Sequence, residues 1–206
     1  MKVKDTYKTI KSPSEEVLFK DKNSKFFGYA FPVTSEAAIK QHLETLKAQH
    51  HSARHWCYAY QLGKIEKSIQ FRANDDGEPN NSAGMPIYGQ IQSFDVTDIL
   101  IVVVRYFGGV KLGVSGLINA YKSAAQLALE NSEIITKTIN VPYLITFEYK
   151  DMNKVMRLIK EKNLKIVDQK LELTCEITIS VRLKQAEKTY NSFNSIYGVE
   201  IRELTL

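Results

Sequence analysis

The chain has 206 residues, 44% of them hydrophobic and 25% charged, with a formal net charge of +5. This is the balance of a globular protein long enough for one large or two modest domains, and two are expected. The positive charge is spread along the chain without a basic block, and the two cysteines, Cys57 and Cys175, lack CxxC spacing; a nucleic-acid-binding tail, a disulfide framework and a zinc ribbon are all excluded as organising features, leaving buried free thiols.

The N-terminal stretch MKVKDTYKTIK is charged and has no apolar leader segment, and no run approaches the roughly 18 apolar residues of a membrane span, so a cytoplasmic protein with no membrane partner is expected. Alternation in YKTIK and in VLFKDKNSKFFGYAFPV predicts an opening meander that turns through Asp21, Lys22, Asn23 and Ser24. Ser35 is placed to cap a helix on which Ile39, Leu43 and Leu46 recur at helical spacing up to His50 and His51. HWCYAYQLG and SIQFRA read as strands, and NDDGEPNNSAG, a cluster of turn formers, reads as a loop. Pro86 fits the first turn of a helix running through Ile91. ILIVVV is continuous rather than alternating, as in a strand buried on both faces, and LGVSGLINAYKSAAQLALENS is a helix after it.

After Asn140 the pattern restarts. VPYLITFEY is a strand, Asp151 is placed to cap a helix carrying Met152, Val155 and Ile159, and LKIVDQKLELTCEITISVRL supplies two strands. A helix with Ala186, Tyr190 and Phe193 on one face and a last strand VEIREL complete a βαββαβ order, the ferredoxin-like arrangement. The fold class is α+β with two domains, residues 1–139 and 140–206.

Three groups of residues carry chemistry. In RYFGGVKLG, residues 105–113, a glycine pair stands between a buried strand and a helix, with Arg105 and Lys111 alongside. Such a turn can adopt positive φ and point backbone N–H groups at an anion, although its spacing is neither that of a Walker A loop nor of GxGxxG. The alternative is that Gly108 and Gly109 only make the turn while Gly113 and Gly116 let the helix pack closely. In NDDGEP, the carboxylates of Asp75, Asp76 and Glu78 suit a hard cation, acid-base work, a solvated turn, or pairing with Arg105. His55 and Cys57 face the same side of their strand, yet a Cys-His nucleophile needs an orienting partner and a zinc site needs two more ligands, which His50 and His51 alone do not secure. No metal or cofactor is expected.

ARHWCYAY, NDDGEPNNSAGMPI and ILIVVVRYFGGVKLGVSGLINAY together resemble the signature segments of the YigZ/IMPACT family. The resemblance implies an N-terminal αβ sandwich akin to a domain of a small-subunit ribosomal protein, followed by a ferredoxin-like domain similar to the fifth domain of elongation factor G. It also implies a translation-associated role, because eukaryotic members regulate translation by binding a protein activator of a stress kinase. The residues it carries over are His55, Cys57, Asp75, Asp76, Gly77, Glu78, Pro79, Arg105, Tyr106, Phe107, Gly108, Gly109, Lys111 and Gly113. Departures from the family pattern include Asn74 before DDGEP, Ser115 for a glycine, and Asn119 for an arginine, which removes a cation from the helix after the glycine turn.

Two functions follow. One is a non-enzymatic binding protein whose N-terminal groove engages RNA backbone, the ribosome or an acidic protein surface. The other is a hydrolase using His55 or the acidic loop, which ranks lower because no nucleophile, base and orienting group are found together. The partner and the oligomeric state are not encoded in any motif.

Overall fold

The structure, a computed structural model, describes residues 4–204, so the first three residues of the charged N-terminal stretch and the last two of the chain lie outside the described residues. The chain divides into two compact units: Tyr7–Lys137, and the described residues up to Thr6 together with those from Thr138 onward. The N-terminal end of the chain thus joins the second unit, which the sequence pattern did not anticipate. Two contacts account for it: the Asp5 carbonyl accepts the Ile139 N–H at 2.8 Å, and the Asp5 carboxylate is held by Arg182.

The first unit begins with β1 (Thr6–Ile10), which pairs with β7 (Ile134–Thr138) in a two-stranded sheet. Between them run β2 (Val17–Asp21), β3 (Ser24–Pro32), α1 (Glu36–Gln49), β4 (His55–Leu62), β5 (Gln70–Asn74), α2 (Gly84–Ser93), β6 (Ile99–Tyr106) and α3 (Gly113–Glu130). The main sheet is antiparallel in the order β2-β3-β6-β4-β5, with β6 at its centre. Alternation along β6 explains its unbroken apolar run: Ile99, Ile101 and Val103 face a core shared with α2 and α3, while Leu100, Val102 and Val104 face a second core shared with α1. All six are fully buried, and each such side chain contributes about 1.5–3 kcal/mol relative to exposure. The sheet is therefore an αβ sandwich layer with helices on both faces.

The second unit contains β8 (Asn140–Glu148), α4 (Met152–Glu161), β9 (Lys165–Leu171), β10 (Thr174–Arg182), α5 (Leu183–Asn194) and β11 (Val199–Glu203). Its sheet order, β11-β8-β10-β9, is the ferredoxin-like one. Ile145 and Phe147 of β8 pack with Cys175 and Ile177 of β10 against Val155 and Ile159 of α4 and Phe193 of α5. Asp151 stands before α4 but makes no capping hydrogen bond; its carboxylate instead takes Lys154 at 2.7 Å. Strand β9 is mostly exposed, and its pairing with β10 shifts register between Thr178 and Ile179, an irregularity that blunts the free edge.

Helix α1 is capped as its sequence suggests, with the Ser35 hydroxyl accepting the Ala38 N–H at 3.3 Å. At its other end lies an arrangement that no spacing rule announces. The His50 ring is 7% exposed and lies between two tyrosines, with Nε2 2.5 Å from the Tyr29 hydroxyl and Nδ1 3.0 Å from the Tyr106 hydroxyl. Tyr29 donates to the Glu16 carboxylate, which only accepts, so Nε2 donates to Tyr29 and Nδ1 accepts from Tyr106. His50 is thus a neutral relay on the α1 side of the sheet and no part of a metal site with His51. Burial lowers its pKa, and the nearby Glu16 charge only partly opposes this.

Two outcomes are expected. A fragment of residues 7–137 should unfold cooperatively on its own when followed by circular dichroism; a fragment that only aggregates would show that the units depend on each other. A His50 pKa lowered on folding means that the unfolded chain binds the proton more readily, so the stability tied to this site is complete above about pH 6.5 and is lost as pH falls towards the lowered folded-state value. In urea titrations at pH 7.5 and 5.5, wild type should lose more stability than His50→Gln over that interval; equal losses would assign the acid sensitivity elsewhere.

Candidate binding cleft

A row of three residues crosses the main sheet, Phe26 on β3, Arg105 on β6 and His55 on β4, all directed to the α2 and α3 side. Position 105 continues the face of Ile101 and Val103, which is why a guanidinium here is buried, at 6% exposure. Its Nη1 donates to Glu78 Oε1 at 2.6 Å, and the same oxygen accepts the Tyr121 hydroxyl of α3 at 2.8 Å. The Phe26 and Phe107 rings lie 5.5 and 5.6 Å from the guanidinium carbon, so the charge is flanked by aromatic faces. Nε is buried with no hydrogen-bond partner among the described residues.

The acidic loop is neither a solvated turn nor a cation site. Asp75 accepts the N–H groups of Asn81, Ala83 and Gly84, closing the loop and capping α2. Asp76 accepts the Trp56 N–H at 2.7 Å, and its own N–H donates to Asn74 Oδ1. Glu78, 8% exposed, is the partner of Arg105. Each carboxylate serves a separate backbone or side-chain partner, and no cluster of three or more possible metal ligands occurs among the described residues.

His55 Nδ1 donates to the Asp76 carbonyl at 2.8 Å. Cys57 is fully buried, and its thiol donates to the Asp75 carbonyl at 2.9 Å. Burial pushes the Cys57 thiol pKa well up, and the negative charges of Glu78, Asp76 and Asp75 add to this, which suits a structural thiol and not a nucleophile. Tyr121, absent from the sequence-derived site, is pushed up likewise by burial. Its helical spacing marks it only as core, and nothing in its neighbours in sequence points to Glu78.

The glycine turn divides its labour. A Cβ on Gly108 would lie 2.1 Å from the Asn23 carbonyl carbon, so glycine is required there by space, and its N–H is taken by the Ser24 hydroxyl at 3.1 Å instead of facing outward. Gly109 has open space around it but a φ of +86°, so its requirement is conformational. Tyr106 points to the other side of the sheet, into the His50 relay, and is not in the cleft. Arg105, Phe107, Lys111 and Gly113 line a common cleft of about 450 Å³ with His55 and Glu78, and Arg54, Pro79, Leu112, Val114 and Leu117 complete its walls.

Replacing Glu78 with Gln should leave the Arg105 charge buried without compensation and reduce stability by about 3 kcal/mol in urea denaturation. Asp75→Ala, which removes a helix cap, should lose about 1 kcal/mol. A Glu78→Gln variant as stable as wild type would show that Arg105 finds another partner.

Residues 22–129 match the family described as the Impact N-terminal domain. An IMPACT family member of Haemophilus influenzae is 30% identical over 185 residues, covering 89% of this chain and 88% of that protein. The IMPACT family member YigZ of Escherichia coli is 34% identical over 147 residues, 71% of this chain and 72% of its own length. A crystal structure described as that of a hypothetical protein superposes with a TM-score of 0.74 at 26% identity, covering 98% of this chain and 99% of that one.

Proposed function

The chain belongs to the IMPACT family, and from that premise we propose that it is a translation-associated regulatory protein whose N-terminal cleft docks an acidic segment of a protein partner. The observation that carries this reading is the composition of the cleft wall. Phe107 and Val114 line it at 46% and 53% exposure, and Ile118, one turn further along α3, is 40% exposed. Arg54 and Lys111 stand among them as exposed cations, while the single lining carboxylate, Glu78, is already engaged. Exposed aliphatic side chains beside cations match a protein surface that offers both carboxylates and apolar groups. A nucleic-acid backbone offers nothing to cover Val114 and Ile118, which cannot stack on bases.

The hydrolytic reading retains His55, but the Cys57 thiol is held protonated and the acidic loop is consumed in structural contacts. Translation-associated regulation is the role that the family resemblance implies, and the cleft supplies a physical means for it without catalysis.

The test is affinity capture from native lysate, with nuclease, using wild type and a Lys111→Glu/Val114→Asp double variant. Components of the translation machinery should be retained after nuclease treatment and reduced about tenfold by the double variant, the equivalent of 1.4 kcal/mol. Recovery abolished by nuclease would favour RNA, and recovery indifferent to the substitutions would place the partner on another surface. Ester or phosphate turnover that disappears in His55→Ala would make the cleft an active site.

A further inference from the structure

We infer that the free edge of β5 accepts an extended segment of another protein as an added strand, with apolar side chains on the α2 side of the sheet and an acidic one on the α1 side. No residue of β5 lines the cleft, so this edge is a second surface, independent of the docking reading.

Strand β5 ends one side of the five-stranded sheet, so its outer row of backbone N–H and C=O groups has no strand to pair with among the described residues. Edge strands are normally defended by charges, prolines or bulges. Strand β9 has Lys165, Asp168, Lys170 and a shifted register, and β11 has Glu200, Arg202 and Glu203. Strand β5 has a single charge, Arg72, and no proline, and it pairs with β4 without interruption from Leu62 opposite Gln70 to Tyr58 opposite Asn74. Its Gln70, Phe71 and Arg72 are exposed.

The two sides of the edge differ. Phe71 stands opposite Gln61 and Ala73 opposite Ala59, which places both on the α2 side. The Phe71 ring stacks on Tyr88 of α2 at 4.2 Å between centroids, yet Phe71 is 53% exposed. Ile69, in extended conformation two residues earlier, continues that side at 42% exposure, and Met85, one helical turn before Tyr88, is also 42% exposed. On the α1 side Arg72 stands opposite Tyr60 and makes no ion pair among the described residues, while the Glu36 carboxylate accepts the Tyr60 hydroxyl. An incoming strand that alternates apolar and polar residues covers the first side, and a carboxylate among its polar residues meets Arg72. Strand β5 itself holds no carboxylate, so a symmetric dimer paired through this edge leaves Arg72 unopposed. The occupant is therefore a strand of a different protein.

The experiment is an amide NMR titration of the ¹⁵N-labelled full chain with two end-capped peptides, GSVTVEVTVSG and its lysine counterpart GSVTVKVTVSG, up to about 1 mM. The glutamate peptide is expected to shift the amides of Gln70–Asn74 saturably and to slow their hydrogen exchange, and the lysine peptide to bind about threefold more weakly, the size of one cross-strand charge contact. Arg72→Glu should reverse that order, and Phe71→Ser should weaken both peptides. Both positions are exposed, so neither change threatens the core. No response at β5 to either peptide, shifts confined to the cleft, or a peptide preference unmoved by Arg72→Glu would overturn the inference. Shifts at β5 that appear on concentrating the protein alone would give the edge to a second copy and overturn it as well.

Discussion

The contact between Arg105 and Glu78, both buried on one face of the main sheet, ties several elements of the first unit together. A guanidinium removed from water is tolerable only beside an opposite charge, and against two apolar groups of similar shape such a pair adds little net stability. Its importance lies in what must be built to bring the carboxylate there. The segment from Asn74 to Pro79 turns back over β4, with the Glu78 N–H on the Asp75 carbonyl and the Asp76 carboxylate on the Trp56 N–H. The same turn places the Asp75 carboxylate on the N-terminus of α2. Tyr121 brings α3 to the same oxygen of Glu78 and packs edge-on against Phe26 at 5.2 Å. Two helices, a loop and the central strands are thereby tied to one charge pair.

This economy bears on function. Residues with the chemical repertoire of a catalyst, three carboxylates, a histidine and a thiol, share this region, yet each is engaged by hydrogen bonds within the protein itself. What remains outward is a set of apolar side chains, two exposed cations and an uncapped helix start. Such a surface is the basis of the docking role proposed above. The buried charge pair beneath it holds these groups in place.

The pleat of a single strand separates two polar systems. Along β6, Arg105 faces the cleft and the following residue, Tyr106, faces the α1 layer, where it joins His50, Tyr29 and Glu16. The two systems share a strand end and then pass directly into Phe107 and the glycine turn. Gly108 must lie against Asn23 there, so the end of β6 is pinned to the β2–β3 turn. An aromatic and basic motif that reads as one unit in the sequence is thus two devices on opposite sides of a sheet.

Much of this was legible in the residues alone. The two-face burial of ILIVVV, the Ser35 cap, the helix entered at Pro86 and the βαββαβ order of the second half follow from local periodicity and backbone chemistry, which act over a few residues. The pairing of Glu78 with Arg105 was one of several open readings, because three carboxylates in four residues look alike until the chain is folded and only one of them reaches the guanidinium. Tyr121, the His50 relay and the joining of Asp5 to the second unit were not legible. Each depends on residues tens of positions apart meeting through sheet register or chain return, as Tyr121 meets Glu78 across 43 positions and Asp5 meets Arg182 across 177. The sequence by itself determined which segments are strands and helices and which residues are chemically able to act. Tertiary structure decided which of those residues are consumed in holding the fold and which are left exposed, since burial and hydrogen-bond satisfaction are properties of neighbours in space and not of neighbours along the chain.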